Sequence, residues 1–382
     1  MRRAYLDHAS TTPPRPEAVA AVLAWLATPA ADPGRLHEEG RVVRDLLEEA
    51  RRQVAALVSA TPREIVFTSG GTEAVNAAVW GATRQNPGAP VLFAEVEHSA
   101  VRQASTRLAP TETVPVDGTA RIDRDFLEER LAATDRPRPA LVHCQWANHE
   151  VGTVQPVREI VGICRAAGVL VHVDAAAACG HVPMDLGDLG ADLVSLSAHK
   201  IGGLPGAGAL VVHRGSRFEP LIVGGEQERA RRAGLEALPA LRAFGAAAGA
   251  LGADDQRLLH REAGQSRRHL AVLSAAATAV EGVEIVGPPQ AEERLPSLLC
   301  LGVHGVEAEP VLIGLDRAGV AVHSGSACSS ESIEPSPVLE AMGVDPSHSL
   351  RVSVGWSTTD TDIAAFATAF ADVVAGLRAL RG

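Results

Sequence analysis

One lysine has the most distinctive chemistry in this chain. Of its 382 residues, 35 are lysine or arginine, and Lys200 is the only lysine among them. A guanidinium group stays protonated in proteins, whereas a lysine amine can lose its proton and form a Schiff base with an aldehyde. Lys200 also stands between a strand-like run and the glycine-rich segment 201–206. Lys200 is either a covalent catalyst or a residue that remains by chance in a chain that otherwise uses arginine.

Polar residues at the ends of two strand-like runs are placed to assist Lys200. The apolar run 171–173 ends in Asp174, and Ser197 and His199 come just before the lysine. Ligands of open α/β sheets bind at the carboxyl ends of strands. A protonated pyridine nitrogen would satisfy a buried carboxylate there, although a helix cap or a salt bridge would also do so. With Ser197 and His199 as phosphate donors, the combination indicates a pyridoxal-phosphate site.

The segment Thr68-Ser69-Gly70-Gly71-Thr72-Glu73-Ala74-Val75-Asn76 has the composition of an anion-binding helix start. Gly70 and Gly71 allow a sharp turn, the first helical N–H groups are free to bind phosphate, and Thr72 adds a hydroxyl. The same residues also suit a capped helix N-terminus without a ligand. Both interpretations stay open at this point.

The five cysteines fall into two classes. Cys328 lies among small residues in Ser324-Gly325-Ser326-Ala327-Cys328-Ser329-Ser330, which predicts an accessible, reactive thiol. The others lie in apolar runs and are expected to be inert core residues: Cys144, Cys164, Cys179 and Cys300. No two cysteines have C-x-x-C spacing, so the sequence gives no support for a zinc site or a redox dithiol.

His98 and Arg351 are weaker candidates. His98 ends a strand-like run, where an imidazole could stack on an aromatic cofactor and move protons, yet a lone histidine is more often structural. Arg351 begins a strand and could clamp a carboxylate through two hydrogen bonds, yet most arginines lie on the surface.

Composition excludes several classes of protein. The net charge of −11 provides no basic surplus for binding nucleic acid, so none is expected. No apolar run reaches 18 residues and the first residues lack an apolar signal core, so we expect a cytoplasmic protein without membrane contact. An odd number of cysteines fits a reducing compartment.

Strand-like and helix-like patterns alternate through the first two thirds of the chain, which predicts a mostly parallel α/β sheet covered on both faces. The expected strands are 64–68, 91–95, 140–144, 169–174, 192–197 and 209–213, and helices are expected at 41–58, 73–83 and 157–167. The segment 236–280 is rich in Ala, Leu and Arg and predicts one or two long helices. Shorter elements follow and predict a smaller α+β unit.

Together these motifs resemble the cysteine desulfurases of the NifS/IscS type, within the class V aminotransferase family of fold-type I pyridoxal-phosphate enzymes. The resemblance runs from Tyr5 to Gly355, and its most specific parts are 67–73, 197–200 and 324–328. It implies a PLP-dependent transferase fold with a large domain, residues 15–255, built on a mostly parallel seven-stranded sheet. The smaller α+β domain would comprise residues 1–14 and 256–382 and carry the cysteine loop.

The resemblance also implies roles for the candidate residues. Lys200 would link covalently to the cofactor, Asp174 would pair with its pyridine nitrogen and His98 would stack on its ring. The remaining cofactor contacts would come from Gly71, Thr72, Ser197, His199 and, in this chain, His149. No metal is implied.

Arg351 would bind the carboxylate of L-cysteine, and Cys328 would take its sulfur as a persulfide while alanine leaves. The family implies a homodimer and a sulfur-acceptor protein. That acceptor stays open between an iron–sulfur scaffold, a tRNA or cofactor thiolation enzyme, and a DNA-sulfur-modification protein. A selenocysteine lyase, another C–S lyase and a degenerate partner-binding scaffold are the alternative functions.

Three positions depart from the family pattern. His149 replaces the second Asn of Asn-Asn-Glu, and Ala177 replaces the Gln of Asp-Ala-Thr/Ala-Gln; both usual side chains contact the cofactor's ring hydroxyl. We hypothesise that the imidazole of His149 compensates for the missing amide at 177. Leu235 replaces a threonine that reaches the phosphate of the neighbouring subunit, and leucine cannot donate a hydrogen bond.

Overall fold

The structure is a computed structural model that describes residues 3–28, 31–324 and 335–380. Cys328 therefore lies outside the described residues. The strands are β1 Ala4–Tyr5, β2 Ile65–Thr68, β3 Val91–Ala94, β4 Thr111–Val114, β5 Leu141–Gln145, β6 Val171–Asp174, β7 Leu193–Ser197, β8 Gly208–Val212, β9 Val283–Val286, β10 Leu298–Val303, β11 Val320–Ala321 and β12 Ser349–Ser353.

The helices surround these strands. They are α1 Pro16–Leu26, α2 Glu38–Leu57, α3 Gly71–Gln85, α4 Ser99–Leu108, α5 Arg124–Ala132, α6 Val157–Ala167, α7 Leu186–Leu189, α8 Gln227–Ala230, α9 Leu238–Thr278, α10 Ala308–Arg317, α11 Pro337–Ala341 and α12 Asp360–Ala379. The expected long helix is α9, whose backbone leaves the helical conformation at 253–256. No helix among the described residues combines the length and apolar character needed to cross a membrane.

A seven-stranded sheet forms the centre of the molecule, in the order β2-β8-β7-β6-β5-β3-β4. Its strands are parallel except for β8, which runs antiparallel to both of its neighbours. The predicted mostly parallel α/β sheet is confirmed. Every residue of β3, β5, β7 and β8 is buried, as expected for strands covered by helices on both faces.

Within the central sheet, the sequence patterns missed the strand β4 and ended β5 one residue too early. The strand β4 has the sequence Thr-Glu-Thr-Val and lies at the sheet edge, where a half-exposed strand needs no continuous apolar run. The strand expected at 140–144 runs instead from Leu141 to Gln145, so its last residue is polar. This difference of one residue places Gln145 at the carboxyl edge of the sheet.

A second, smaller set of strands follows α9. The strands β12, β10 and β9 form an antiparallel sheet, and β11 pairs with β1 from the start of the chain. A bridge between Asp7 and Ser353 continues this link between the N-terminal segment and β12. The apolar residues around these strands form a core cluster of their own that includes Ala4 and Leu6. The domain boundaries expected from the sequence stay a prediction.

Candidate active site

One cavity of about 560 Å³ brings together every candidate site residue that the structure describes. Among the residues that line it are Gly71, Thr72, His98, His149, Asp174, Ser197, His199, Lys200 and Arg351. They come from the carboxyl edge of the central sheet, from the start of α3 and from β12. The topology thus gathers residues 280 positions apart, from Gly71 to Arg351, at the edge where α/β sheets bind ligands.

Lys200 ends a short 3-10 turn, Ala198–Lys200, that directly follows β7. Its Nζ donates a hydrogen bond to the carbonyl oxygen of Ala9. Burial, followed by the positive charge of Arg351, lowers the pKa of Lys200 to about 8, while Asp174 and Asp7 oppose the shift. A substantial fraction of the amine is therefore neutral, and hence nucleophilic, close to neutral pH.

Asp174 is the last residue of β6, and one of its carboxylate oxygens accepts two hydrogen bonds within the protein. Its Oδ1 accepts hydrogen bonds from Ser195 Oγ at 2.8 Å and from the Ala176 N–H at 3.0 Å. Ser195 is its neighbour in register on β7, so the two strands fix the carboxylate relative to the sheet. Among the described residues Oδ2 has no hydrogen-bond donor, which leaves that oxygen to accept from a cationic ring nitrogen in the cavity.

The start of α3 and the end of β7 form the part of the cavity suited to an anion. Gly71 begins α3, and a Cβ added there would lie 3.5 Å from the Cβ of Ser197. A side chain there would make only ordinary van der Waals contact, and the first N–H groups of α3 have no partner within the helix, so they can bind an anion. Burial, followed by the charge of Lys200, lowers the pKa of His199 to about 4, so its ring is neutral at neutral pH.

His98 and His149 meet edge to face, with ring centroids 5.0 Å apart and planes at 71°. The Nδ1 of His98 accepts the N–H of Ala100 at 3.1 Å and so caps α4, which leaves the proton of the neutral ring on Nε2. His98 lines the cavity. Burial and then His149 lower its pKa to about 4. The compensating role of His149 stays a hypothesis; its Nε2 lies 3.5 Å from Glu150 Oε1.

Arg351 is 6% exposed and is oriented by residues near the start of the chain. Its Nη2 donates to Asp7 Oδ1 at 2.9 Å and to Ser10 Oγ at 2.7 Å, while Nη1 donates to the carbonyl oxygen of His149 at 3.1 Å. Its Nε has no partner among the described residues. The guanidinium is thus a fixed positive charge at the cavity wall with donor capacity left over.

Sequence reasoning missed two buried polar residues of the cavity, Glu97 and Gln145. Glu97 is 1% exposed, and its Oε1 accepts the N–H of Gln145 at 2.6 Å. Burial, together with the charge of Asp174, raises the pKa of Glu97 well above its usual value, which favours the neutral acid. Gln145 is a polar residue at the end of an apolar strand, the same signal that identified Asp174.

The four described cysteines are free and buried, as the sequence predicts. Burial raises the pKa of Cys164, Cys179 and Cys300 to about 12 and that of Cys144 well above its usual value. Their thiolates are therefore scarce at neutral pH, which makes them poor nucleophiles.

The donor set of the cavity fits pyridoxal phosphate. A largely buried amine can bond to an aldehyde, an open carboxylate oxygen can accept from a pyridinium, and a helix start can bind a phosphate. The Nε2 of Gln145 is also a buried donor without a partner among the described residues. These features lie in one cavity, so the residues present suit the cofactor at both its ring and its phosphate.

Comparison with known proteins gives the same assignment. A cysteine desulfurase of Cereibacter sphaeroides is 39% identical over 100% of this chain and 98% of its own, and cysteine desulfurase IscS 1 of Archaeoglobus fulgidus is 35% identical over 98% of both. A solved NifS-like protein of Rickettsia africae is 29% identical and superposes with a TM-score of 0.87 over 97% of this chain and 99% of its own.

The family model described as aminotransferase class-V matches residues 4–366, nearly the whole chain. Enzymes of this family depend on pyridoxal phosphate, in agreement with the donor set of the cavity. The chain therefore belongs to the class V aminotransferase family of fold-type I pyridoxal-phosphate enzymes.

Proposed function

We propose that this chain is a pyridoxal-phosphate-dependent cysteine desulfurase that converts L-cysteine into L-alanine. The C–S bond of the substrate breaks, an S–S bond to Cys328 forms, and the resulting persulfide passes its sulfur to an acceptor protein. The observation that carries the proposal is the convergence of Lys200, Asp174 and Arg351 on one cavity in a chain whose full-length relatives are cysteine desulfurases.

The cofactor supplies an electron-withdrawing ring that stabilises negative charge at the substrate α-carbon. Asp174 Oδ2 would accept the hydrogen bond of the ring nitrogen and favour its protonated form, because Oδ1 is already held by Ser195 and Ala176. Thr72, Ser197, His199 and the start of α3 would hold the phosphate.

The remaining groups bind the substrate and move protons. Arg351 binds the substrate carboxylate through its remaining donors, because Asp7 and Ser10 already orient the guanidinium. Lys200, with its lowered pKa of about 8, takes and returns protons at the α-carbon near neutral pH. Cys328 is the sulfur acceptor because the four described cysteines are buried thiols with raised pKa values.

Alanine release tests this proposal. The cofactor-loaded protein is incubated with L-cysteine and a reductant, beside Cys328→Ala and the matched control Cys300→Ala. We expect alanine from the native protein and from Cys300→Ala, and none from Cys328→Ala. A parallel series with L-selenocysteine distinguishes a selenocysteine lyase, which would release alanine from that substrate only. Cofactor-loaded protein that releases alanine from neither substrate would contradict the proposal.

We further propose a homodimer acting in the cytoplasm. Ile222, Val223 and Leu235 are 38%, 74% and 63% exposed, and Leu235 stands where the family has a threonine that reaches the neighbouring subunit. The N–H of Ala233 donates to the carbonyl oxygen of Ile222 at 3.0 Å, which brings the two segments together. Exposed apolar side chains close together favour contact with a partner surface. The free described cysteines fit a reducing compartment. Light scattering of the purified protein tests the dimer.

A further inference from the structure

We propose that Gln145 donates a hydrogen bond from Nε2 to the ring oxygen of pyridoxal phosphate, supplying the amide that Ala177 lacks. Both residues line the cavity, and Gln145 lies on the strand next to Asp174. The inference rests on the cofactor assignment and not on which substrate is turned over.

The orientation of the Gln145 amide follows from its neighbour Asn148. The Oδ1 of Asn148 accepts the N–H groups of Glu150 and Val151 at 2.8 and 2.9 Å, so its Nδ2 is the donor end. This Nδ2 lies 3.4 Å from Oε1 of Gln145 and also donates to the carbonyl oxygen of Val96. Because a donor faces Oε1, the other end of the Gln145 amide is the donor Nε2.

The donor Nε2 is buried and has no partner within the described chain. Gln145 is 3% exposed, yet its side chain contributes to the wall of the cavity. A buried donor that binds nothing costs free energy, and native proteins rarely retain one without a ligand or a water molecule to accept from it. This Nε2 therefore needs an acceptor, and the cavity that Gln145 lines is the place where one can enter.

The strand order indicates which acceptor that is. The strands β7, β6 and β5 are consecutive neighbours in the sheet. Ser197 ends β7 and His199 lies in the turn after it, whereas Asp174 ends β6 and Gln145 ends β5. On the pyridine ring of the cofactor, the phosphate arm and the ring oxygen lie on opposite sides of the nitrogen. With the phosphate toward β7 and the nitrogen at Asp174, the ring oxygen would face β5 and Gln145.

The test uses Gln145→Met, which keeps the length of the side chain and removes the donor. Its matched control is Gln103→Met on the exposed face of α4. Two readouts are measured without substrate: the dissociation constant of apoprotein for pyridoxal phosphate, and the wavelength and pH dependence of the visible absorption band. We expect Gln145→Met to weaken binding about tenfold and to shift the band, because the ring oxygen loses a donor. Gln103→Met should match the native protein in both.

Two further variants keep the test decisive. Gln145→Leu also removes the donor and keeps an apolar side chain, so it should weaken binding as much if Gln145→Met does not fold. Adding Ala177→Gln to Gln145→Met should restore affinity. Native affinity and an unshifted band in both Gln145 variants would overturn the inference. A native protein that binds the cofactor tightly but releases no alanine would contradict the proposed function and leave this inference standing.

Discussion

Nη2 of Arg351 lies 2.9 Å from Oδ1 of Asp7, which joins the seventh residue of the chain to a strand near its end. The side chains are 7% and 20% exposed, so solvent screens this ion pair only in part. The pair sets the direction of the guanidinium, and the neighbouring Ser10 hydroxyl accepts a second hydrogen bond from Nη2. The N-terminal segment thereby becomes part of the substrate site.

Asp7→Asn should impair substrate binding more than turnover. A hydrogen bond to a charged group contributes about 1.5–3 kcal/mol, and its loss leaves the guanidinium of Arg351 less well directed. We expect KM for L-cysteine to rise about tenfold with kcat changed less. Asp316→Asn is the control, because Asp316 forms an exposed ion pair with Arg3 away from the cavity. Equal KM values for Asp7→Asn and the native protein would show that Asp7 does not orient Arg351.

The lowered pKa of Lys200 predicts how apoprotein reacts with pyridoxal phosphate. Only the neutral amine attacks the aldehyde, so the rate of covalent attachment should rise with pH and level off above about 8. Arg351→Gln should move this inflection upward, because the charge of Arg351 contributes to the lowered pKa. Stopped-flow absorbance measures the rate. A rate that keeps rising to the ordinary lysine pKa of about 10.4 would contradict a buried amine.

Glu97→Gln should stabilise the protein, and more so as the pH rises. Unfolded glutamate ionises near pH 4.3, whereas burial raises the pKa of Glu97 well above its usual value in the folded state. The native protein therefore loses stability as the pH rises above the pKa of this glutamate in the unfolded chain, and Glu97→Gln does not. The difference in Tm between the two should grow with pH.

Glu64→Gln provides a control of opposite sign. The pKa of Glu64 is lowered; burial opposes that shift, and the hydrogen bonds from Thr61 and Arg214 outweigh it. Its carboxylate stabilises the fold above the unfolded pKa and loses that effect in acid. Glu64→Gln should therefore destabilise at neutral pH and have little effect in acid. A constant Tm difference for Glu97→Gln across the pH range would show that Glu97 is not held neutral.

Thiol labelling tests the division between the cysteines. Iodoacetamide should leave Cys144, Cys164, Cys179 and Cys300 unmodified in the folded protein, because they are buried with raised pKa values. Label on the folded protein should appear on Cys328 alone, and unfolding in denaturant should expose all five. Peptide mass spectrometry locates the label. Rapid modification of Cys300 in the folded protein would contradict its assignment as a core residue.

Local sequence patterns predicted much of the candidate site. Asp174 and Lys200 follow buried strands, and the chain direction of a parallel sheet places such residues at one edge. Long-range contacts were not predictable in this way. The pairing of Asp7 with Arg351 spans 344 positions, and the raised pKa of Glu97 depends on burial that no local pattern expresses.

Gln145 was predictable in part from the local sequence pattern and in part depended on long-range contacts. Its polarity at the end of an apolar strand was visible in the sequence, but the expected strand stopped one residue earlier, at Cys144. The direction of its amide depends on the turn that Asn148 stabilises, through contacts to Glu150 and Val151. Such an orientation follows from three-dimensional packing and could not be read from residue types alone.

The most direct test of the central claim follows the sulfur atom itself. Cofactor-loaded protein is mixed with L-cysteine without a reductant or an acceptor, digested, and analysed by mass spectrometry. We expect one additional sulfur atom on the peptide that contains Cys328, together with alanine in equal amount, and neither product in Lys200→Arg. Alanine formed without sulfur on Cys328, or sulfur on one of the four buried cysteines instead, would contradict it.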